Sequence, residues 1–272
     1  MIKLGVNSVL FKAFSFAEAA RTIKLAGYDG IEISAISGMC EHLDLDNWKA
    51  QKDDLLAIMK DNELEFLSTE VASLDRERLK KAFEACASIG IPVINVGPGG
   101  ISDDPESLDE SIETLKDRAA LAADFGVVLC CKAHVGSAIY NTPTTIKAME
   151  KIESPAFGID MDPSHIWRAG ENPVEALPQV INRVKHIHIR DCKGPGPGPG
   201  EPMLQTNGRG DIDLHGYFKV LTNANYSGPV CLEIIGPDLT MVEAAVIAAE
   251  SYGYMNAILK SFEGKFHNNG KK

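Results

Sequence analysis

The chain has 272 residues, of which 44% are hydrophobic, and a formal net charge of −11 at pH 7. That length is enough for one α/β barrel or for two small domains. The acidic balance argues against a nucleic-acid partner, which requires a basic face opposite the phosphate backbone.

The N-terminus and the cysteines predict a cytoplasmic protein. Residues 1–7 lack the cationic region, apolar core and cleavage site of a signal peptide. No apolar run approaches the roughly 20 residues that cross a bilayer, so we expect no membrane association. The six cysteines show no C-x-x-C spacing, which is typical of reduced thiols in the cytosol.

Short apolar, β-rich runs alternate with helical patterns from one end of the chain to the other. The predicted strands are Lys3–Asn7, Gly30–Ser34, Glu65–Thr69, Val93–Val96, Val127–Lys132, Phe157–Asp162, Val184–Arg190 and Val230–Ile235. Helical periodicity is clearest in Phe16–Ala26, Trp48–Met59, Leu79–Ile89 and Met241–Leu259. Alternation of strands and helices favours parallel strands joined by helical crossovers.

This order predicts a (β/α)8 TIM barrel, a single α/β domain over residues 1–263, followed by a polar tail over residues 264–272. A doubly wound sheet is the alternative, but its first turn usually carries a glycine-rich phosphate loop. Residues 7–10 (Asn-Ser-Val-Leu) contain no glycine. We therefore favour the barrel and expect no nucleotide cofactor.

Ionisable and polar side chains share one parity near the C-terminal ends of several predicted strands. In a barrel, one parity packs on the helices and the other lines the interior and the mouth. The inward candidates are Asn7, Glu32, Lys132, His134, Asp160, Asp162, His186, His188, Arg190 and Glu233. Each alone could be an ordinary core or strand-end residue. Imidazoles and carboxylates together at consecutive strand tips indicate a divalent-metal site, with Mn, Mg, Co or Zn as the ion.

Two loop segments add to this constellation. In Asp162-Pro163-Ser164-His165, an aspartate closes a strand and His165 follows in the next turn, where it either orients a substrate hydroxyl or faces water. The loop between Asp191 and Asp213 is long for a barrel and contains alternating proline and glycine over residues 194–200. We expect this loop to lie over the mouth and to shape substrate choice.

The order of short motifs resembles the xylose isomerase-like TIM-barrel superfamily, which contains sugar isomerases, ketose 3-epimerases, inosose dehydratases and endonuclease IV. The motifs are Gly30-Ile31-Glu32 at the second strand, the D-x-x-H of residues 162–165, the H-x-H-x-[KR]-D of residues 186–191, the G-x-G-x-[IV]-D of residues 208–213, and Leu232-Glu233. The resemblance covers nearly the whole chain. It is specific for the superfamily and less specific for the reaction.

The resemblance also implies roles for individual residues. Asp162, His188 and Glu233 correspond to metal ligands, and Glu233, His134 and Lys132 are the candidates for proton transfer. The predicted substrate contacts are His165, Arg190, Arg209, Glu32 and Asn7.

Lys132 is a departure from the family pattern, because relatives carry a metal-binding glutamate at the end of the fifth strand. Two arrangements are open. In the first, a metal stays bound and repels the ammonium, which lowers the pKa of Lys132 and leaves a neutral lysine available as base. In the second, the ammonium forms an ion pair with Asp162 or Glu233 and supplies the positive charge itself. We favour the first, because the other three ligand positions are intact.

The implied function is a divalent-metal-dependent isomerase or epimerase that acts on a keto-sugar or polyol through an enolate or enediolate. One alternative is a dehydratase of the inosose-dehydratase kind, a lyase acting on a keto-sugar or keto-inositol. The other is a metal-free, non-catalytic sugar-binding barrel. The expected partner is a small-molecule carbohydrate, and a homo-oligomer is compatible with the apolar surface that barrel helices offer.

Overall fold

Eight parallel strands pair in chain order and close into a barrel in the structure, a computed structural model that describes residues 1–263. The strands are β1 Lys3–Asn7, β2 Gly30–Ile36, β4 Glu65–Glu70, β5 Val93–Val96, β6 Val128–Lys132, β7 Phe157–Asp160, β8 Val184–Ile189 and β9 Pro229–Leu232. Pairing of β1 with both β2 and β9 closes the ring. A short strand, β3 Cys40–Glu41, pairs antiparallel with the end of β2. The predicted TIM barrel is confirmed, while the predicted tail over residues 264–272 lies outside the described residues.

Helices follow the strands and cover the outside of the barrel. They are α1 Phe16–Ala26, α2 Trp48–Asp61, α3 Arg76–Ile89, α4 Pro105–Asp124, α5 Thr142–Lys151, α6 Pro163–Arg168, α7 Pro173–Val180, α8 Leu214–Asn223 and α9 Met241–Glu263. Local signals start several of them: Ser15 and Glu18 form a capping box before α1, and the side chain of Asn172 caps α7. Within residues 1–263, no helix is both long and apolar enough to span a membrane.

The hydrophobic core lies between the barrel wall and the helices. In β8, Ile187 and Ile189 are fully buried on the outward parity, whereas His186 and His188 are fully buried on the inward one. Burying an isoleucine side chain contributes about 1.5–3 kcal/mol, so the outward parity stabilises the wall. The inward-facing positions of the strand are occupied by polar side chains. All six cysteines are buried and unpaired.

Strand ends differ from the prediction by one to three residues, and the differences have local causes. β7 ends at Asp160 because the Asp162 side chain caps α6 instead of extending the strand. β9 ends at Leu232. Beyond it, the Ile235 N–H donates to the side chain of Gln205 instead of to a neighbouring strand. β4 runs one residue further than predicted and ends with Glu70. That extra residue brings an unpredicted carboxylate to the mouth.

Candidate active site

A cleft of about 560 Å³ opens at the C-terminal end of the barrel, where enzymes of this architecture carry their active sites. Its volume is in the range of small-molecule sites. The ionisable residues that line it are Glu70, Lys132, His134, His165, Arg168, Arg190 and Glu233. The cleft therefore contains carboxylates, cations and imidazoles within one small volume.

Lys132, the last residue of β6, lies between two carboxylates. Its Nζ donates to Oε1 of Glu233 at 2.7 Å and to Oε1 of Glu70 at 3.1 Å. All three residues are at most 5% exposed. Burial alone would lower the pKa of Lys132, but the charges of Glu233 and Glu70 raise it above the usual lysine value. The ammonium therefore stays protonated, as in the second of the two arrangements considered for this residue.

The two carboxylates beside Lys132 differ in their electrostatic surroundings. Burial and the nearby charge of Glu233 raise the pKa of Glu70 to about 7, against the opposing charge of Lys132. Burial would also raise the pKa of Glu233, but Lys132, His188 and Arg190 lower it well below its usual range. At neutral pH, Glu233 is thus ionised, while Glu70 exchanges between its acid and its carboxylate.

The Asp162-Pro163-Ser164-His165 segment places a guanidinium and an imidazole beside Glu233. Asp162 Oδ1 accepts the Ser164 N–H at 2.7 Å and starts α6, with proline in the first turn. Its Oδ2 accepts from Nη2 of Arg190 at 3.1 Å. The same Nη2 lies 2.9 Å from Nε2 of His165, and Nη1 lies 3.3 Å from Oε2 of Glu233. Arg190 therefore links Asp162, His165 and Glu233 into one assembly.

His134 and His165 form a pair of neutral imidazoles at the wall of the cleft. Their ring centroids are 4.2 Å apart. Burial and the charge of Lys132 lower the pKa of His134, and burial together with Arg190 lowers the pKa of His165 well below the usual histidine value. Both nitrogens of His165 face protein donors, namely the Val135 N–H and Nη2 of Arg190. His134 is therefore the imidazole of the pair that suits contacts with sugar hydroxyls.

A second polar network lies in the barrel interior, outside the lining of the cleft. Nε2 of His188 contacts Oε2 of Glu32, and its Nδ1 faces Oδ2 of Asp160. His186 lies 3.0 Å from Asp160 and 2.8 Å from the hydroxyl of Ser68. Burial would lower the pKa of His188, but Asp160 and Glu32 raise it well above the usual value. His188 is thus an imidazolium with a carboxylate at each nitrogen.

These contacts bear on the predicted metal ligands Asp162, His188 and Glu233. Among residues 1–263, three groups have donor atoms close enough to hold a metal, namely Glu32–His186–Cys231, Asp160–His186–His188 and Glu32–Glu70–His188, and none contains Asp162 or Glu233. The carboxylates of Asp162 and Glu233 face Arg190 and Lys132 instead. In this arrangement the three predicted residues do not fit a divalent cation, because it would lie against the Arg190 guanidinium and the Lys132 ammonium. Their assignment as ligands stays a prediction.

The structure brings some predicted substrate-contact residues to the cleft and leaves others outside it. His165 and Arg190 line it. Asn7 and Glu32 are fully buried, and Asn7 donates to Oε2 of Glu70 at 2.7 Å. Arg209 forms a two-point ion pair with Glu250 of α9 and is absent from the lining of the cleft.

Glu70 is not among the site residues predicted from the sequence, although its parity in the strand indicated an inward position. Glu70 has the same parity as the inward-facing Ser68, but the predicted strand ended at Thr69. Strand ends are the least reliable part of a pattern-based prediction. From the sequence, Arg168 is a candidate for holding a phosphate or carboxylate group, and it lines the cleft.

The long loop lies over the cleft, as predicted. Pro197, Gly198 and Pro199 contribute to the lining. Arg168 at the end of α6 donates to the carbonyl oxygens of Gly196, at 3.2 Å, and of Pro197. The base of the loop is held by Asp191, whose carboxylate accepts backbone N–H groups of residues 192, 208 and 212.

A glycine is required where the loop returns to its base. At Gly210, a Cβ atom would lie 2.0 Å from Oδ1 of Asp191 and 2.5 Å from the Cys192 nitrogen. Both distances are too short for any side chain. The second glycine of the G-x-G-x-[IV]-D motif, Gly210, therefore allows the loop to pack closely on Asp191.

Comparison with known proteins places the chain among related barrels. Inosose dehydratase of Clostridium perfringens is 29% identical over an alignment of 133 positions, which covers 44% of this chain and 45% of that protein. The chain thus spans about half the length of the curated relatives that it matches. A D-tagatose 3-epimerase-like protein of known structure aligns with a TM-score of 0.75 at 21% identity, over 97% of this chain and 99% of that one.

A second solved structure is a xylose isomerase-like TIM barrel protein from Mycobacterium smegmatis in complex with magnesium. It aligns with a TM-score of 0.74 at 17% identity, over 95% of this chain and 97% of that one. At these identities, the two structures show a shared fold. The sequence model described as "Xylose isomerase-like TIM barrel" matches residues 20–258. Because that match covers most of the chain, the protein belongs to the xylose isomerase-like TIM-barrel family.

Proposed function

We propose that the protein is an enzyme that isomerises or epimerises a keto-sugar or keto-polyol through an enolate formed in the cleft. The observation that carries this proposal is the ionised Glu233 carboxylate, held beside the Lys132 ammonium and the Arg190 guanidinium. A base next to two cations is what proton removal from a carbon beside a carbonyl requires. The names of the epimerase-like neighbour and of the dehydratase relative support a substrate of the sugar or polyol class.

In the proposed reaction, Glu233 takes the proton from the carbon next to the substrate carbonyl. The electron pair of that C–H bond moves to the carbonyl oxygen, which becomes an enolate oxygen. Lys132 and Arg190 stabilise this negative charge, and removing one such donor from an active site typically costs about 10²–10³ in rate. His134 hydrogen-bonds a substrate hydroxyl, His165 holds Arg190 in position, and the loop of residues 194–200 reduces access of water. In this reaction the two protein cations beside Glu233 take the place of a metal ion.

A dehydratase is the second candidate, and the match to inosose dehydratase favours it. It would form the same enolate. The enolate would then expel a hydroxyl group from the β-carbon, which leaves as water after taking the proton that Glu233 had removed. The two reactions therefore share the first step and differ in the fate of the enolate.

The test is incubation of the purified protein in D2O with D-fructose, D-allulose and 2-keto-myo-inositol, followed by NMR. Deuterium incorporation with conservation of the carbon skeleton and its hydroxyls supports isomerisation or epimerisation, whereas loss of water supports the dehydratase. Glu233→Gln is expected to reduce incorporation by about 10²–10⁴-fold, the range for loss of a general base.

The matched control is Asp109→Asn, because Asp109 is also paired with a lysine, Lys147, but lies exposed on α4. This variant is expected to retain wild-type incorporation. Binding of these ketones without deuterium incorporation by the wild-type protein would contradict the proposal and favour the non-catalytic sugar-binding barrel.

A further inference from the structure

Glu233 has a partner carboxylate in the cleft, contributed by a different strand from the one that the family pattern suggests. Lys132 stands where the family pattern has a metal-binding glutamate, at the end of the fifth predicted strand. Glu70, at the end of β4, accepts from the same ammonium as Glu233 does. The cleft therefore contains two carboxylates with one cation between them.

The contacts of Glu70 fix the direction of its carboxylate. Oε2 accepts from Nδ2 of Asn7 at 2.7 Å, and Oδ1 of Asn7 in turn accepts the Val9 N–H at 3.0 Å. Oε1 is directed to Lys132, on the cleft side. Glu70 is only 5% exposed, yet it belongs to the lining of the cleft. One oxygen is thus anchored to Asn7, and the other is bonded to Lys132, which lines the cleft as Glu70 does.

The separation of the two carboxylates suits a single carbon atom. Oε1 of Glu70 and Oε1 of Glu233 can be no farther apart than their two bonds to Nζ laid end to end, about 5.8 Å. Proton transfer takes place over heavy-atom distances of about 2.6–3.2 Å. A substrate carbon whose carbonyl oxygen contacts Lys132 can therefore be reached by both carboxyl groups.

We propose that Glu70 is the second proton-transfer residue of this site and that it protonates the enolate on the face opposite Glu233. This inference rests on the proposed function and specifies it as epimerisation. Glu233 takes the proton from one face, and the electron pair moves to the carbonyl oxygen beside Lys132. The electron pair then returns to carbon, which takes the proton of the Glu70 carboxylic acid. The products are the epimer, a protonated Glu233 and an ionised Glu70, and exchange with water resets both.

The protonation behaviour of Glu70 is consistent with this role. Its pKa of about 7 leaves a substantial fraction of the acid form at neutral pH, whereas the pKa of Glu233 is held low. Two carboxyl groups whose surroundings separate their pKa values are suited to serve as acid and base.

The experiment compares conversion with isotope exchange in the epimer pair D-fructose and D-allulose, in D2O, for the wild type, Glu70→Gln and Glu233→Gln. We expect Glu70→Gln to convert one ketose into the other at least ~100-fold more slowly. It should still incorporate deuterium into the epimer that Glu233 deprotonates, within about tenfold of wild type. Glu233→Gln should lose incorporation into that epimer.

A second variant guards against a folding defect. Asn7→Ala keeps the carboxyl group but removes its anchor, and it is expected to slow conversion more than exchange. A parallel fall of conversion and exchange in Glu70→Gln, or conversion at the wild-type rate, would overturn the assignment of Glu70. Water loss without epimer formation by the wild type would also overturn it. Absence of exchange in the wild type would overturn the proposed function and this inference with it.

Discussion

Removal of the Lys132 ammonium tests the electrostatic arrangement of the cleft directly. Lys132→Met keeps most of the side-chain volume but removes the salt bridge of Glu70, while Glu233 retains Arg190. Loss of one partner from a buried ion pair typically costs about 3–5 kcal/mol, because the remaining charge is buried and uncompensated. We expect a loss of that size in the free energy of unfolding at about pH 8, where Glu70 is ionised.

The pH dependence of this loss follows from Glu70. Its pKa is raised from 4.5 to about 7 in the folded protein. The stability that this raised pKa contributes is fully present below about 4.5 and is lost as the pH rises through 7. In Lys132→Met, Glu70 can take up a proton at about pH 5.5, and the uncompensated charge disappears. The cost of the substitution should therefore be clearly smaller at pH 5.5 than at pH 8.

The assay is urea denaturation of the wild type, Lys132→Met and a control at both pH values. The control is Lys147→Met, which removes an exposed ion pair with Asp109 and should cost about 0–1 kcal/mol at either pH. A loss below about 1 kcal/mol for Lys132→Met at pH 8 would refute the reasoning. An equal loss at both pH values would show that Glu70 does not titrate as described.

Three further predictions concern the metal, the loop and its base. The native protein is expected to react at an unchanged rate after treatment with EDTA. Lys132→Glu is expected to bind Mn²⁺ more tightly than the native protein in a titration, because a carboxylate replaces the repelling ammonium. Stoichiometric, tight binding of Mn²⁺ by the native protein would contradict both expectations. Deleting two residues from the segment 194–200 is expected to raise KM for the converted ketose with little change in Tm, because this segment contributes to the lining of the cleft and lies outside the core. A fall in Tm with unchanged KM would show that the loop is a structural brace. Gly210→Ala is expected to cost at least ~1–3 kcal/mol in urea denaturation, the usual range for overpacking, since its Cβ would overlap Asp191. The control is Gly198→Ala, because Gly198 lies in the same loop with no positive φ and with no atom within 4 Å of an added Cβ. An equal loss there would contradict the steric explanation.

The sequence by itself determined the architecture and most of the motifs. Strand and helix periods predicted the alternation that closes into a barrel. Side-chain parity placed Lys132, Arg190 and Glu233 among the inward residues, and all three line the cleft. These features follow from patterns within a few residues of the chain, because backbone geometry fixes which side chains share one face of a strand or helix.

Only the tertiary structure decided which charges become partners. Lys132 is separated from Glu70 by 62 residues and from Glu233 by 101, so no local pattern reports that its ammonium lies between them. Arg209 matched a family motif, but it forms an ion pair with Glu250 of α9 instead of facing the cleft. Glu70 came to the cleft because β4 continues for one more residue. Pairing energies and pKa values depend on distance and burial, and both are set when separate strands come together in the closed barrel.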